Sequence, residues 1–131
     1  MKFKGTVLLV DDEAHIRKFV GLVLKQFSTP KLIEASNGEE ALILYAEHRP
    51  DLVLLDVNMP KLGGLETLKK IHKLDPDCAV IMLTSLATRQ TIEEASELGA
   101  LNYIRKDTPK EEIAKALQET IEANFDLTET E

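Results

Sequence analysis

The 131-residue chain sets 16 Lys and Arg against 23 Asp and Glu, a net charge of −7, which excludes a phosphate-backbone binder that would need a basic face. Its 44% hydrophobic and 30% charged content is that of one soluble globular domain; the lone Cys78 excludes an internal disulfide and suits a reducing cytosol. No apolar run approaches a membrane span, and the run after Met1-Lys2-Phe3-Lys4 is too short for a signal peptide and ends in two aspartates.

In chain order, Val7–Val10 is an uninterrupted apolar run and reads as a buried first strand. Ile16, Phe19, Val20, Val23 and Phe27 then recur at helical spacing. The second strand, Lys31–Ala35, mixes in Glu34 and suits a sheet edge. Ser36-Asn37-Gly38-Glu39 has capping-box spacing and opens a helix through Ala41, Leu42, Tyr45 and Ala46. Leu52–Leu55 is a third strand, running straight into Asp56, and Pro60 stops any further ladder. A third helical face follows at Leu65, Leu68 and Ile71, then a buried fourth strand at Ala79–Leu83. Ile92, Ala95 and Leu98 mark a fourth helix, with Gly99 as its stop. Leu101–Ile104, carrying Asn102, is a second edge strand. Thr108-Pro109-Lys110-Glu111 supplies a cap, a first-turn proline and an early glutamate for a fifth helix bearing Ile113, Ala116, Leu117 and Ile121.

Strand and helix alternating five times predict an α/β fold: a doubly wound five-stranded parallel sheet with five helices. Three buried and two edge strands, joined by right-handed crossovers, fit the order 2-1-3-4-5, with the switch point between strands one and three. The domain is expected over residues 1–125, with 126–131 as a short frayed tail. The histidines His15, His48 and His72 stand at no metal-like spacing and read as surface residues; Met59 and Met82 read as packing, and Cys78 as a small residue in a turn.

The residues just past the strands carry the chemistry. Asp11 and Asp12 come after the first, Asp56 and Asn58 after the third, Thr84 and Ser85 close the fourth, and Lys106 comes after the fifth. Asp commonly ends strands and caps helices, and either role serves for one residue alone; the whole set falling at the carboxyl ends of four strands points instead to a shared cleft. Three clustered carboxylates without Cys or His form an all-oxygen site suited to a hard cation such as Mg²⁺, with Mn²⁺ as the alternative. Lys106 would then serve as a point charge on a phosphoryl group, Thr84 as a hydroxyl donor to it, and Asp56 as a nucleophile.

Val10-Asp11-Asp12-Glu13, Asp56-Val57-Asn58-Met59-Pro60, Leu83-Thr84-Ser85 and Gly99-Ala100 through Tyr103 to Lys106 together resemble the receiver domain of two-component response regulators, over nearly the whole chain. That family has the flavodoxin-like strand order reached above. The resemblance implies a phospho-accepting signalling switch in the cytoplasm that acts on itself rather than as an enzyme on other substrates. Asp56 would take a phosphoryl group from a phosphohistidine on a sensor histidine kinase or phosphotransfer protein. Asp12 and Asp56 would hold Mg²⁺ by side chain, Asn58 by its carbonyl and Asp11 through water. Thr84 and Lys106 would bind phosphoryl oxygens, and Tyr103 would swing inward with Thr84. The fourth helix, fifth strand and fifth helix would face an output protein or effector domain, with no direct contact to nucleic acid or membrane.

Three departures stand out. Asp107 follows Lys106 where the family usually carries a cis proline, so that loop is expected to differ. Gly63-Gly64 replaces the commoner Asp-Gly and is expected to loosen the start of the third helix. Leu86 puts an apolar side chain two residues beyond Thr84. Other readings fit less well. A phosphatase with an aspartate nucleophile places Asp-x-Asp after the first strand and needs room for a cap domain. A flavodoxin's phosphate loop would be repelled by Asp11-Asp12-Glu13. A degenerate receiver would lack the complete set of Asp11, Asp12, Asp56, Thr84 and Lys106.

Overall fold

The strands form where the apolar runs predict them, and their side chains divide the core in two. A computed structural model describes residues 3–125; the 126–131 tail lies outside the described residues. The elements run β1 (Thr6–Val10), α1 (Ala14–Phe27), β2 (Lys31–Ala35), α2 (Gly38–His48), β3 (Leu52–Leu55), α3 (Gly64–Leu74), β4 (Val80–Thr84), α4 (Arg89–Glu97), β5 (Asn102–Arg105) and α5 (Lys110–Asn124). The five strands pair in parallel in the order β2-β1-β3-β4-β5. β1, β3 and β4 are central and almost wholly buried, whereas β2 and β5 are edges with exposed positions.

Alternation along each strand sends successive side chains to opposite faces. Val7, Leu9, Leu52, Leu54, Ile81 and Leu83 pack against Val23 and Leu24 of α1 and Ile113, Leu117 and Ile121 of α5. Leu8, Val10, Val53, Leu55, Val80 and Met82 pack against Ala41 and Tyr45 of α2, Leu68 and Ile71 of α3 and Ala95 of α4. Each fully buried Leu or Ile contributes about 1.5–3 kcal/mol over an exposed one, so the sheet is held from both sides and its carboxyl edge is a fixed platform. α4 is the thinnest layer: Ala95 is its buried residue, and Ile92, expected on the inner face, is 41% exposed.

Helix starts sit one residue later than expected in two places. Asn37, not Ser36, caps α2: its Oδ1 accepts from the Glu40 N–H at 2.9 Å, and Glu40 Oε1 accepts from the Ser36 N–H at 2.7 Å. α5 begins after Pro109, which holds the cap position itself, so Thr108 makes no capping bond. Gly99 does end α4, with φ at 90° and paired bonds from the Gly99 N–H to Ser96 O and the Ala100 N–H to Ala95 O.

Gly63 stands at the cap of α3 and gives the helix start no side-chain bond, while Gly64 fits that start closely. A β-carbon on Gly64 would collide with the Asp56 carbonyl oxygen, and the Gly64 N–H donates to Val57 O at 2.8 Å. The second glycine therefore lets the helix start press against the end of β3. No described peptide bond is cis; the loop after β5 is closed by Arg105, whose guanidinium donates twice to Asp107 at 3.0 and 2.7 Å.

Candidate functional site

The carboxyl edge of the sheet gathers side chains from β1, β3, β4 and β5. The Asp11 N–H donates to Ala35 O of β2 and the Asp56 N–H to Val10 O, so both aspartates continue the ladder by one residue and are held by backbone. Both are buried, at 4% and 3% exposure, while Asp12 faces solvent. The three carboxylates each present an oxygen within 4.8 Å of the others.

Lys106 reaches into this cluster from the end of β5, where its N–H donates to Thr84 O. Its Nζ lies 2.7 Å from Asp11 Oδ2, 3.0 Å from Glu13 Oε1 and 3.1 Å from Asp56 Oδ2. Burial by itself disfavours the ammonium. Hydrogen bonds and charge from Asp11, Glu13 and Asp56 outweigh it and hold Lys106 above the ordinary lysine value. Burial also raises the Asp11 carboxyl, more than the bonds from Lys106 and the Glu13 N–H lower it. The exposed Glu13 is lowered by Lys106.

One ammonium thus pairs with three carboxylates, those of Asp11, Glu13 and Asp56, and the Asp12 carboxylate adds a fourth negative charge beside Asp11 and Asp56. The surplus negative charge, the all-oxygen donor set and the open side at Asp12 fit a hard divalent cation such as Mg²⁺. Asn58 stands at the rim, exposed, with its N–H 3.3 Å from Asp56 Oδ1.

Thr84 ends β4 fully buried, its Oγ1 accepting from the Leu86 N–H at 3.1 Å. The Leu86 carbonyl in turn accepts from Tyr103 Oη at 2.5 Å, and that hydroxyl also meets Thr91 Oγ1 of α4 at 3.0 Å. Thr91 closes a capping box with Thr88. A continuous set of hydrogen bonds therefore runs from Thr84 to the start of α4.

All seven residues singled out in the sequence, Asp11, Asp12, Asp56, Asn58, Thr84, Tyr103 and Lys106, lie at this edge or one hydrogen-bonded residue from it. Sequence reasoning did not find the part of Glu13, whose carboxylate binds Lys106 and leaves α1 without a side-chain cap. Nor did it find Arg17 or Thr91. Nothing short of the fold pairs Glu13 with a lysine 93 residues away.

Known proteins share both the sequence pattern and the fold. The sequence model of the response regulator receiver domain matches residues 7–118. The chain is 31% identical over 115 residues to the chemotaxis protein CheY of Bacillus subtilis (88% of this chain, 96% of that one). It is 36% identical over 112 residues to sporulation initiation phosphotransferase F of the same organism (86% and 90%). Among solved structures, the response regulator domain of Thermotoga maritima CheB superposes with a TM-score of 0.83 at 32% identity, covering 95% of this chain and 99% of that one.

Proposed function

The chain belongs to the response regulator receiver family of two-component signalling, and from that premise we propose that Asp56 is its phosphoryl acceptor. The donor is a phosphohistidine on a sensor histidine kinase or a phosphotransfer protein, and the reaction depends on Mg²⁺. The observation that carries the reading is the placement of Lys106 Nζ, 3.1 Å from Asp56 Oδ2, inside a cluster of three more carboxylates.

In this reading an Asp56 carboxylate oxygen attacks phosphorus. The new O–P bond forms as the N–P bond breaks, and the imidazole leaves with its electron pair and takes up a proton. Asp12 and Asp56 would hold Mg²⁺ by side chain, Asn58 by its carbonyl and Asp11 through water; when bound, the ion neutralises the carboxylates and the phosphoryl oxygens they would otherwise repel. Lys106 shifts from the carboxylate to the phosphoryl group as a point charge, and the Thr84 hydroxyl turns from the Leu86 N–H to donate to it. Breaking that bond releases the Leu86 loop, which carries Tyr103 and the α4 cap with it. The α4–β5–α5 surface is then the part that an output protein or effector domain senses.

Incubation with Mg²⁺ and a small acyl phosphate is expected to add one phosphoryl group, read as intact mass, and Asp56→Asn to abolish the addition. Labelling of Asp56→Asn at the wild-type rate would reject the assignment.

A further inference from the structure

Arg17 lies on the first turns of α1 with its guanidinium turned back toward the end of β1. Its Nη1 donates to the Asp11 carbonyl oxygen at 2.6 Å, and its Nε donates to Glu34 Oε1 on the edge strand β2 at 2.7 Å. The Arg17 side chain is 17% exposed, and its stem lines a small apolar cavity with Leu9, Leu54 and Leu83. We infer that Arg17 is a positioning residue for the acidic pair: it grips the peptide joining Asp11 to Asp12 and braces it against Glu34, and so sets where the Asp12 carboxylate stands.

The case is one of constraint. Asp11 is held at its N–H by Ala35 O, at Oδ1 by the Glu13 N–H at 2.9 Å and at Oδ2 by Lys106. The exposed Asp12 carboxylate has no hydrogen bond or ion pair among the described residues. Its direction is therefore set through the backbone, and the Asp11 carbonyl belongs to the peptide plane that leads into Asp12. A planar guanidinium with donors in a fixed fork holds that carbonyl and a carboxylate together in a pre-organised geometry, which an ammonium on a flexible stem does less well. Glu34, an exposed acid on the edge strand β2, has its use here as the anchor.

The role rests on the metal reading above, and its test separates the two. Mg²⁺ affinity is measured by calorimetric titration at a temperature where every variant is folded, so a loss of stability alone leaves it unmoved. Arg17→Met keeps the stem over the cavity and removes both donors. It is expected to weaken Mg²⁺ binding about tenfold, the scale of removing an outer partner of a metal ligand. Arg17→Lys is expected to rescue only part of this. Glu34→Ala is expected to weaken binding in the wild-type background and to add nothing in Arg17→Met, because the two act through one contact. In metal-free protein, the Asp12 and Glu13 amide signals are expected to broaden in Arg17→Met while those of β3 stay sharp. Wild-type affinity in Arg17→Met, or additive losses in the double variant, would overturn the role and leave the metal reading standing. Absence of Mg²⁺ binding by the wild type would take down both. Should Arg17→Met not fold, Glu34→Ala, on an exposed side chain, carries the same test.

Discussion

If Asp56 is phosphorylated as proposed, Leu86 is the side chain expected to set how long the phosphoryl group lasts. Its backbone is committed, the N–H to Thr84 Oγ1 and the carbonyl to Tyr103 Oη, while its side chain is 38% exposed rather than packed among the helices. Hydrolysis of a phosphoryl group on Asp56 needs a water in line with the O–P bond, held by a polar group. Asn58 can orient such a water through its amide; Leu86 can only exclude it. Self-dephosphorylation is therefore expected to be slow, and Leu86→Gln or Leu86→Glu to speed it about tenfold, or about 1.4 kcal/mol of barrier. Decay of labelled phosphoprotein at fixed Mg²⁺ measures this, and equal rates for the three proteins would retire the idea. At this scale the sequence was legible wherever a candidate residue adjoins a strand. Asp11, Asp56, Thr84 and Lys106 each end or follow a strand, so the apolar runs point at them. Arg17 and Glu13 sit in or beside a helix, where no apolar run points at them, and acquire their partners only when β2 and β5 are brought alongside.

Among the elements, the central strands β1, β3 and β4 were readable nearly to the residue because burial on both faces leaves no polar break inside them, and the edge strands β2 and β5 were readable as mixed runs between helical patterns. β2 and β3 have the expected bounds; β4 and β5 each end one residue later, because Thr84 pairs with Arg105 in the parallel register. Helix starts were less legible. Ser36 and Asn37 are both good caps, and only the backbone decides: Asn37 is extended at φ −160° and its side chain reaches the Glu40 N–H. Asn37→Ala is expected to cost about 1 kcal/mol of stability, the usual worth of a lost cap, and Ser36→Ala distinctly less, in denaturant melts followed by circular dichroism. Equal losses would return the cap to Ser36. The α4 cap has a second consequence. Thr91 is shared between Thr88 and Tyr103, so phosphorylation that frees the Leu86 loop is expected to move amide signals across residues 88–121. Changes confined to the loops around Asp56 would count against α4–β5–α5 as the output surface.

The strand order emerged from polarity together with right-handed crossovers, since a parallel sheet must bury its middle strands and can expose only its edges. What polarity could not reveal is how the whole molecule responds to pH, which depends on buried contacts between distant elements. Tyr45 of α2 is buried and donates from Oη to Asp75 Oδ2 at 3.0 Å, just beyond α3. Burial first, and then Asp75, hold its phenol well above the ordinary value of 10.0. Cys78, near the same aspartate, is raised above 9.0 by burial and then by Asp75. On the carboxyl edge the burial of Lys106 works against its charge, yet its acidic partners raise it above 10.5. All three hold their protons more tightly folded than unfolded. Their stabilisation is therefore complete below the unfolded values and is lost as pH rises through the folded ones. Stability is expected to fall from about pH 9 upward, with Tyr45 alone responsible for about 1.4 kcal/mol per pH unit above 10. Tyr45→Phe keeps the buried ring and gives up the bond to Asp75, so at neutral pH it is expected to be less stable by about 1 kcal/mol. It also removes the group that titrates, so its stability is expected to decline less steeply, and the two curves to approach and cross near pH 11. Urea melts of both proteins by far-ultraviolet circular dichroism between pH 7 and 11 make the comparison. Parallel curves would show that the Tyr45 phenol, buried against Asp75, is not what ties α2 to the end of α3 in alkali.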